Sequence, residues 1–207
     1  MAGLFLSLDG IDGAGKSTQV ARLTEWFQQR GRQVIAPRDP GSTALGEALR
    51  EILLHRQEIP LAMTAEMLLY MASRAQLVSQ IIRPALAEGQ VVIADRYLLA
   101  NVVYQGSAGG QDVDQIWQVG QIATQGLMPD LTCVLDLPVA VAMGRLNRGL
   151  DRLESRGQDY LQLVRDGFIR QAQRLGPTAV IIDASQSPDE IHARIVSALA
   201  ERQLAHA

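Results

Sequence analysis

The 207-residue chain contains one lysine, Lys16; its other eighteen basic side chains are arginine. A guanine reader of the N-K-x-D type needs its own lysine. Lys16 sits in a different motif, so the GTPase class is excluded. The chain contains one cysteine, Cys133, so no internal disulfide can form, and its apolar surroundings Leu131–Leu135 predict a buried structural thiol. No run of 18 apolar residues is available to span a membrane. The segment Met1–Leu8 has no basic leader and no long apolar centre, so it reads as a strand, and a cytoplasmic protein is expected. An excess of positive charge is also missing: the net charge is -3, and nothing suggests a nucleic-acid partner. Internal repeats and low-complexity linkers are absent. What remains is an ordinary globular composition, 47% hydrophobic and 20% charged, long enough for a single α/β domain over 1–207.

Short apolar runs alternate with longer helical patterns. Strands are expected at Leu4–Leu8, Gln33–Ala36, Val91–Ala94, Leu131–Asp136 and Thr178–Asp183. Helices are expected at Ser17–Gln29, Leu45–His55, Ala62–Glu88, Asp112–Gln125, Pro138–Arg148, Tyr160–Arg174 and Pro188–Arg202. The strands are continuously apolar, the mark of parallel strands covered on both faces. A doubly wound sheet of five parallel strands follows, with helices on both faces and ligands at the carboxyl ends of the strands. Asp9, Arg38, Asp95, Arg96, Asp136 and Asp183 all fall at those ends. The segment from 146 to 158, rich in glycine and charge, reads as a short mobile lid.

The run Gly10-Ile11-Asp12-Gly13-Ala14-Gly15-Lys16-Ser17 satisfies G-x-x-x-x-G-K-[ST] at every fixed position, after a strand and before a helix. Its glycines let backbone N–H groups point at phosphate oxygens, and the helix N-terminus adds its positive end. Lys16 would bridge the outer phosphates and Ser17 would ligate Mg²⁺. Hydrolases tend to place a second acid after the strand-three aspartate; here Arg96 follows Asp95. A cation there suits an acceptor phosphate and hence phosphoryl transfer, although a plain ion pair with Asp95 would use the same residues. Arg38 stands on a corner stiffened by Pro40 and Gly41. Tyr70 and Arg74, four residues apart, share one helix face and make a platform for a base, or else a core tyrosine beside a snorkelling arginine. Arg145, Arg148, Arg152 and Arg156 surround the lid and either close over a triphosphate or form a solvated loop.

Taken in order, these motifs resemble the thymidylate kinases. The resemblance rests on Asp9–Thr18, on Arg38-Asp39-Pro40-Gly41-Ser42-Thr43 with Leu45-Gly46-Glu47 behind it, and on Asp95-Arg96-Tyr97 followed by Tyr104-Gln105-Gly106. Leu150–Glu154 resembles the lid and Asp183-Ala184-Ser185 the adenine-side loop. It implies the P-loop nucleoside monophosphate kinase fold and transfer of the γ-phosphate of ATP to dTMP, a step of dTTP biosynthesis by the de novo and salvage routes. ATP would be bound by Gly10 through Thr18 (Ile11, Asp12, Gly13 and Ala14 included) and by Arg145. Asp12 would hold the 3′-OH, and Arg38 and Arg96 the acceptor phosphate. Tyr70 would stack on thymine, Arg74 reach its carbonyl, and Asn101 and Gln105 lie along the base. Tyr104 would fill the space a ribose 2′-OH needs. Asp95 would orient Mg²⁺ through water. Glycine at position 13, with arginines in the lid, resembles the bacterial arrangement, in which Arg148 or Arg152 supplies transition-state charge. Asp39 and Ser42 depart from the family's usual glutamate and glycine, and Ala100 from a common serine. Another small nucleotide kinase, or a nucleotide-binding switch without transferase activity, would share parts of this pattern. A homodimer is expected, both from the resemblance and from the apolar and methionine surface along Leu61–Val78.

Overall fold

A computed structural model describes residues 2–145 and 157–205. The described residues form five strands: β1 (Leu4–Asp9), β2 (Val34–Ile35), β3 (Val91–Asp95), β4 (Leu131–Asp136) and β5 (Ala179–Asp183). They lie in one sheet, in the order β2-β3-β1-β4-β5, and every pairing is parallel. The register aligns their carboxyl ends. Leu8 pairs with Asp95 and Asp136 with Asp183, and an isolated bridge sets Arg38 beside Asp95.

The continuous hydrophobicity of the strands is resolved by which face each residue meets. Leu4, Leu6 and Leu8 of β1 enter one core cluster with Val91, Ile93 and Phe27; Phe5 enters the other with Val92, Ala94 and Tyr97. Every residue of β1 is buried, and each leucine there contributes about 1.5–3 kcal/mol by leaving water. Phe5 meets the Tyr97 ring edge-on, centroids 4.9 Å apart. Cys133 is fully buried, and burial pushes its thiol up to about 12, as a structural thiol requires.

Helix α1 (Lys16–Gln28) follows β1, and α2 (Ala44–Arg50) follows β2. Next come α3 (Met63–Leu77) and α4 (Arg83–Ala87), then α5 (Leu98–Asn101) and α6 (Val113–Thr124), and finally α7 (Val139–Arg145), α8 (Gln158–Leu175) and α9 (Pro188–Glu201). Their starts are written in the sequence. Thr43 caps Gly46 N–H, Asp112 caps two amides of α6, and Ser187 forms a capping box with Glu190 ahead of Pro188.

Two expected helices need correction: the pattern over Leu45–His55 is α-helical through Arg50 and ends in a π-helical turn, Glu51–His55. The helix read over Ala62–Glu88 is interrupted by a π-helical turn at Val78–Ile82, where Arg83 N–H reaches back five residues to Val78 O. Pro84 follows; it has no N–H to donate to Gln80, and the wider turn absorbs the break. The expected helices leave out Leu98–Ser107. That stretch forms α5 and a π-helical turn, Val102–Ser107, with Leu98–Gly106 entirely buried. Tertiary packing decides the conformation there. The Pro138–Arg148 pattern is helical through Arg145; its remainder lies outside the described residues.

Candidate functional site

The carboxyl ends of β1 and β3, with α2, α3 and α5, enclose a cleft of about 460 Å³. Among the described residues six cations line it: Lys16, Arg38, Arg50, Arg74, Arg96 and Arg145. Three carboxylates oppose them, Asp12, Asp39 and Asp95. A chain with a net negative charge therefore carries a locally positive cleft, built for an anion.

One end of the cleft is the glycine-rich loop. Gly15 holds φ 91° and starts α1 with no side-chain cap, so the amides of the first turn face the loop. Gly13 holds φ 82°, and a Cβ there would lie 2.7 Å from Ala142 O. The loop thus presses directly on α7, from whose end Arg145 Nη1 donates to Gly13 O (3.3 Å) and Ala184 O (3.4 Å). Lys16 Nζ donates to Gly10 O (3.2 Å), Ile11 O (3.0 Å) and Asp12 Oδ1 (3.3 Å). Its burial, with Arg96 nearby, lowers its pKa. Ser17 Oγ donates to Asp95 Oδ2 at 3.0 Å, placing a hydroxyl beside a carboxylate at the mouth of the loop. Asp12, Gly13, Gly15, Lys16, Ser17 and Thr18 line the cleft. Ile11 and Ala14 turn their side chains into the core, leaving backbone as their contribution.

Arg96 joins the two halves of the cleft. Its backbone is left-handed (φ 70°), with its N–H donating to Leu8 O. Its guanidinium donates to Gly10 O (2.9 Å), Asp12 Oδ1 (2.7 Å) and the Tyr104 hydroxyl (3.3 Å), 5.2 Å from that ring. Burial alone would raise the Asp12 pKa; Arg96 and Lys16 outweigh it and hold the carboxyl far below its ordinary value. The ion-pair partner of Arg96 is Asp12 across the cleft, rather than its sequence neighbour Asp95. Arg38 faces the same space from the β2 corner, its guanidinium held by both oxygens of Glu47 at 3.1 and 3.0 Å. The corner is tied by Ser42, whose Oγ accepts from Arg38 N–H at 2.8 Å. Ser42 holds φ 64°, a left-handed backbone that glycine adopts more readily than serine.

The other end is a buried polar chain. Arg74 Nε donates to Asp39 Oδ2 (2.6 Å) and Nη1 to Asn101 Oδ1 (2.9 Å). Asn101 Nδ2 donates to Gln105 Oε1 (2.7 Å), and Gln105 Nε2 to Glu66 Oε1 (2.8 Å). Tyr70 and Arg74 both line the cleft, and Arg74 is only 1% exposed, so it does not snorkel. Its guanidinium lies 5.7 Å from the Tyr97 ring. Tyr104 and Gln105 line the cleft beside Asn101.

The structure thus brings together Lys16, Ser17, Arg38, Tyr70, Arg74, Asp95, Arg96, Asn101, Tyr104, Gln105 and Arg145. Arg148 and Arg152, with Arg156 and most of the lid, lie outside the described residues. Sequence reasoning missed Arg50, whose Nη1 donates to Pro40 O (3.0 Å), and Glu66, 1% exposed behind Gln105. Each had a periodicity signal: Arg50 stands three residues after Glu47, and Glu66 four before Tyr70.

The family model described as thymidylate kinase matches residues 8–195. A thymidylate kinase of Rhodopirellula baltica is 44% identical over 189 residues, covering 91% of this chain and 77% of its own. One from a Synechococcus strain is 46% identical over 202 residues, covering 98% of both. The solved structure of thymidylate kinase from Ehrlichia chaffeensis superposes with a TM-score of 0.81 at 26% identity, over 96% of this chain and all of that one.

Proposed function

The chain belongs to the thymidylate kinase family, and from that premise we propose how its residues divide the work. The reaction is transfer of the γ-phosphate of ATP to dTMP, giving ADP and dTDP. A phosphate oxygen of dTMP attacks the γ-phosphorus in line, and the bond to the β–γ bridging oxygen breaks. The acceptor oxygen is already ionised, so positioning and charge neutralisation carry the catalysis.

In this reading the loop amides and Lys16 hold the donor phosphates, with Arg145 tying the loop to the adenine-side segment at Ala184. Arg38 and Arg96 hold the acceptor phosphate, and Arg50, on the same wall, adds a third cation. Asp12, pinned between Lys16 and Arg96, accepts from the 3′-OH. Tyr70 stacks on thymine and Arg74 donates to its carbonyl. Tyr104 stands where a 2′-OH would project. Asn101 spends both ends of its amide on Arg74 and Gln105, so its part is to aim Arg74 at the base edge. Arg148 or Arg152 adds charge at the transferring phosphoryl group.

The Ser17 hydroxyl and Asp95 carboxylate, 3.0 Å apart at the loop mouth, form a donor set that fits Mg²⁺, Asp95 acting through water. When bound, the ion neutralises charge on the β- and γ-phosphates. A single domain, a cytoplasmic location and a homodimer belong to the same reading.

The observation that carries it is the double reach of Arg96, which bonds the donor loop at Gly10 and the acceptor wall at Tyr104. The test is a coupled ADP-release assay with ATP, Mg²⁺ and a panel of monophosphates. We expect dTMP to give the highest kcat/KM. Faster turnover of dGMP or dAMP would discard the assignment of Tyr70 and Arg74.

A further inference from the structure

Tyr104 is held from in front by Arg96 and from behind by α8, none of whose residues lines the cleft. Among the described residues three contacts make the rear support. The Tyr160 hydroxyl, in the first turn of α8, donates to Tyr104 O at 2.9 Å. The Phe168 ring, 1% exposed, meets the Tyr104 ring edge-on with centroids 5.9 Å apart. Between them Gly167 brings the α8 backbone against the same turn; a Cβ there would lie 2.8 Å from Ser107 Cβ and 2.9 Å from Val103 Cγ1. The supported segment is itself π-helical, with Ala108 N–H donating five residues back to Val103 O. A π turn is a rare conformation that persists only where its surroundings hold it. The main chain at Tyr104 is therefore placed by α8 as much as by its own helix.

We propose that Tyr160, with Phe168 beside it, is a positioning residue that fixes how far Tyr104 projects into the cleft, so that selection against ribose is set from α8. The inference rests on the reading that Tyr104 fills the 2′ space. A 2′-hydroxyl adds one oxygen atom to the sugar face. Accepting it requires Tyr104 to retreat by about an atom's width, into the ring of Phe168 and against the anchor of its main chain at Tyr160. The wild-type contacts oppose that retreat; they do not touch dTMP.

The experiment measures kcat/KM for dTMP and for ribothymidine 5′-monophosphate, with ATP and Mg²⁺, in the full chain and three variants. Tyr104→Ala tests the underlying reading and should collapse the preference for the deoxy substrate. Tyr160→Phe removes one hydrogen-bonding oxygen and should lower the preference about 2–10-fold, through better use of the ribonucleotide. Phe168→Leu opens space behind the ring and should lower it at least as far. If Tyr104→Ala loosens selection while Tyr160→Phe and Phe168→Leu keep the wild-type ratio, α8 does not set the wall and the inference fails. A parallel fall for both substrates, ratio unchanged, means a merely structural role and also overturns it. If Tyr104→Ala keeps the ratio, the reading of Tyr104 fails and takes the inference with it. Should Phe168→Leu not fold, Tyr160→Phe decides alone.

Discussion

Burial pushes two ionisable residues near the phosphate loop, Lys16 and Asp9, towards their neutral forms. Lys16 is the only lysine in the chain and is folded among two carbonyls and Asp12. An ammonium fits that pocket as a point charge; a guanidinium is a wide planar fork. Lys16→Arg keeps the charge and should still lower kcat by about 100-fold or more, measured by ADP release; near-normal turnover would show that charge alone suffices. Asp9 is fully buried with Oδ1 unpartnered, and its Oδ2 accepts from Ser7. Burial, against the pull of Arg96, raises its pKa from 3.8 to about 6. Below pH 3.8 the folded and unfolded chains both hold the proton, and Asp9 contributes nothing. Between there and pH 6 the unfolded chain releases it first, so stability falls as pH rises, by about 3 kcal/mol in all. Asp9→Asn lacks this cost. In urea unfolding its stability relative to wild type should therefore improve between pH 4 and 7 and level off above; a pH-independent difference would show that Asp9 does not titrate in this window.

Elements were legible where local chemistry and tertiary packing agree. The five strands, the loop before α1 and the caps of α2, α6 and α9 follow from apolar runs, glycines and Thr, Asp or Ser at the right offsets. The site arginines that follow strands, Arg38 and Arg96, were legible for the same reason. The turn at Leu98–Ser107, which carries Asn101, Tyr104 and Gln105, was not, because burial on every side erases the period that marks a helix. Arg50 and Glu66 escaped because their role depends on which helix face turns to the cleft. The start of α2 offers a test of how tightly an element sets the site. Gly46 is helical, and alanine is ordinarily favoured in a helix by about 1 kcal/mol. Here a Cβ would lie 2.6 Å from Gly41 O and 2.9 Å from Thr43 Oγ1, on the corner that holds Arg38. Overpacking against backbone costs about 1–3 kcal/mol and wins. Gly46→Ala should lower Tm and raise KM for dTMP several-fold; a higher Tm would mean the corner yields freely.

At the scale of the molecule, the described residues cover the sheet on both faces and leave few large apolar side chains exposed. Met67 and Met71 of α3, expected to contribute to an outer surface, are buried against the Phe5 and Tyr97 cluster. Leu68 of α3 and Ile122 of α6 are 49% and 78% exposed. Two copies meeting through these helices would cover them. Light scattering at micromolar concentration should give twice the 22.5 kDa chain mass. A monomer mass there, with Leu68→Glu leaving it unchanged, would reject the dimer. The arginine-only surface has one more consequence. Apart from whatever amine begins the chain, the whole molecule offers a single primary amine, 6% exposed at the edge of the cleft and less strongly basic than a free lysine. A phosphate-bearing aldehyde such as pyridoxal 5′-phosphate, trapped by borohydride, should therefore label the side chains once per chain. ATP should block that label, which turns a covalent stoichiometry into a direct gauge of nucleotide occupancy.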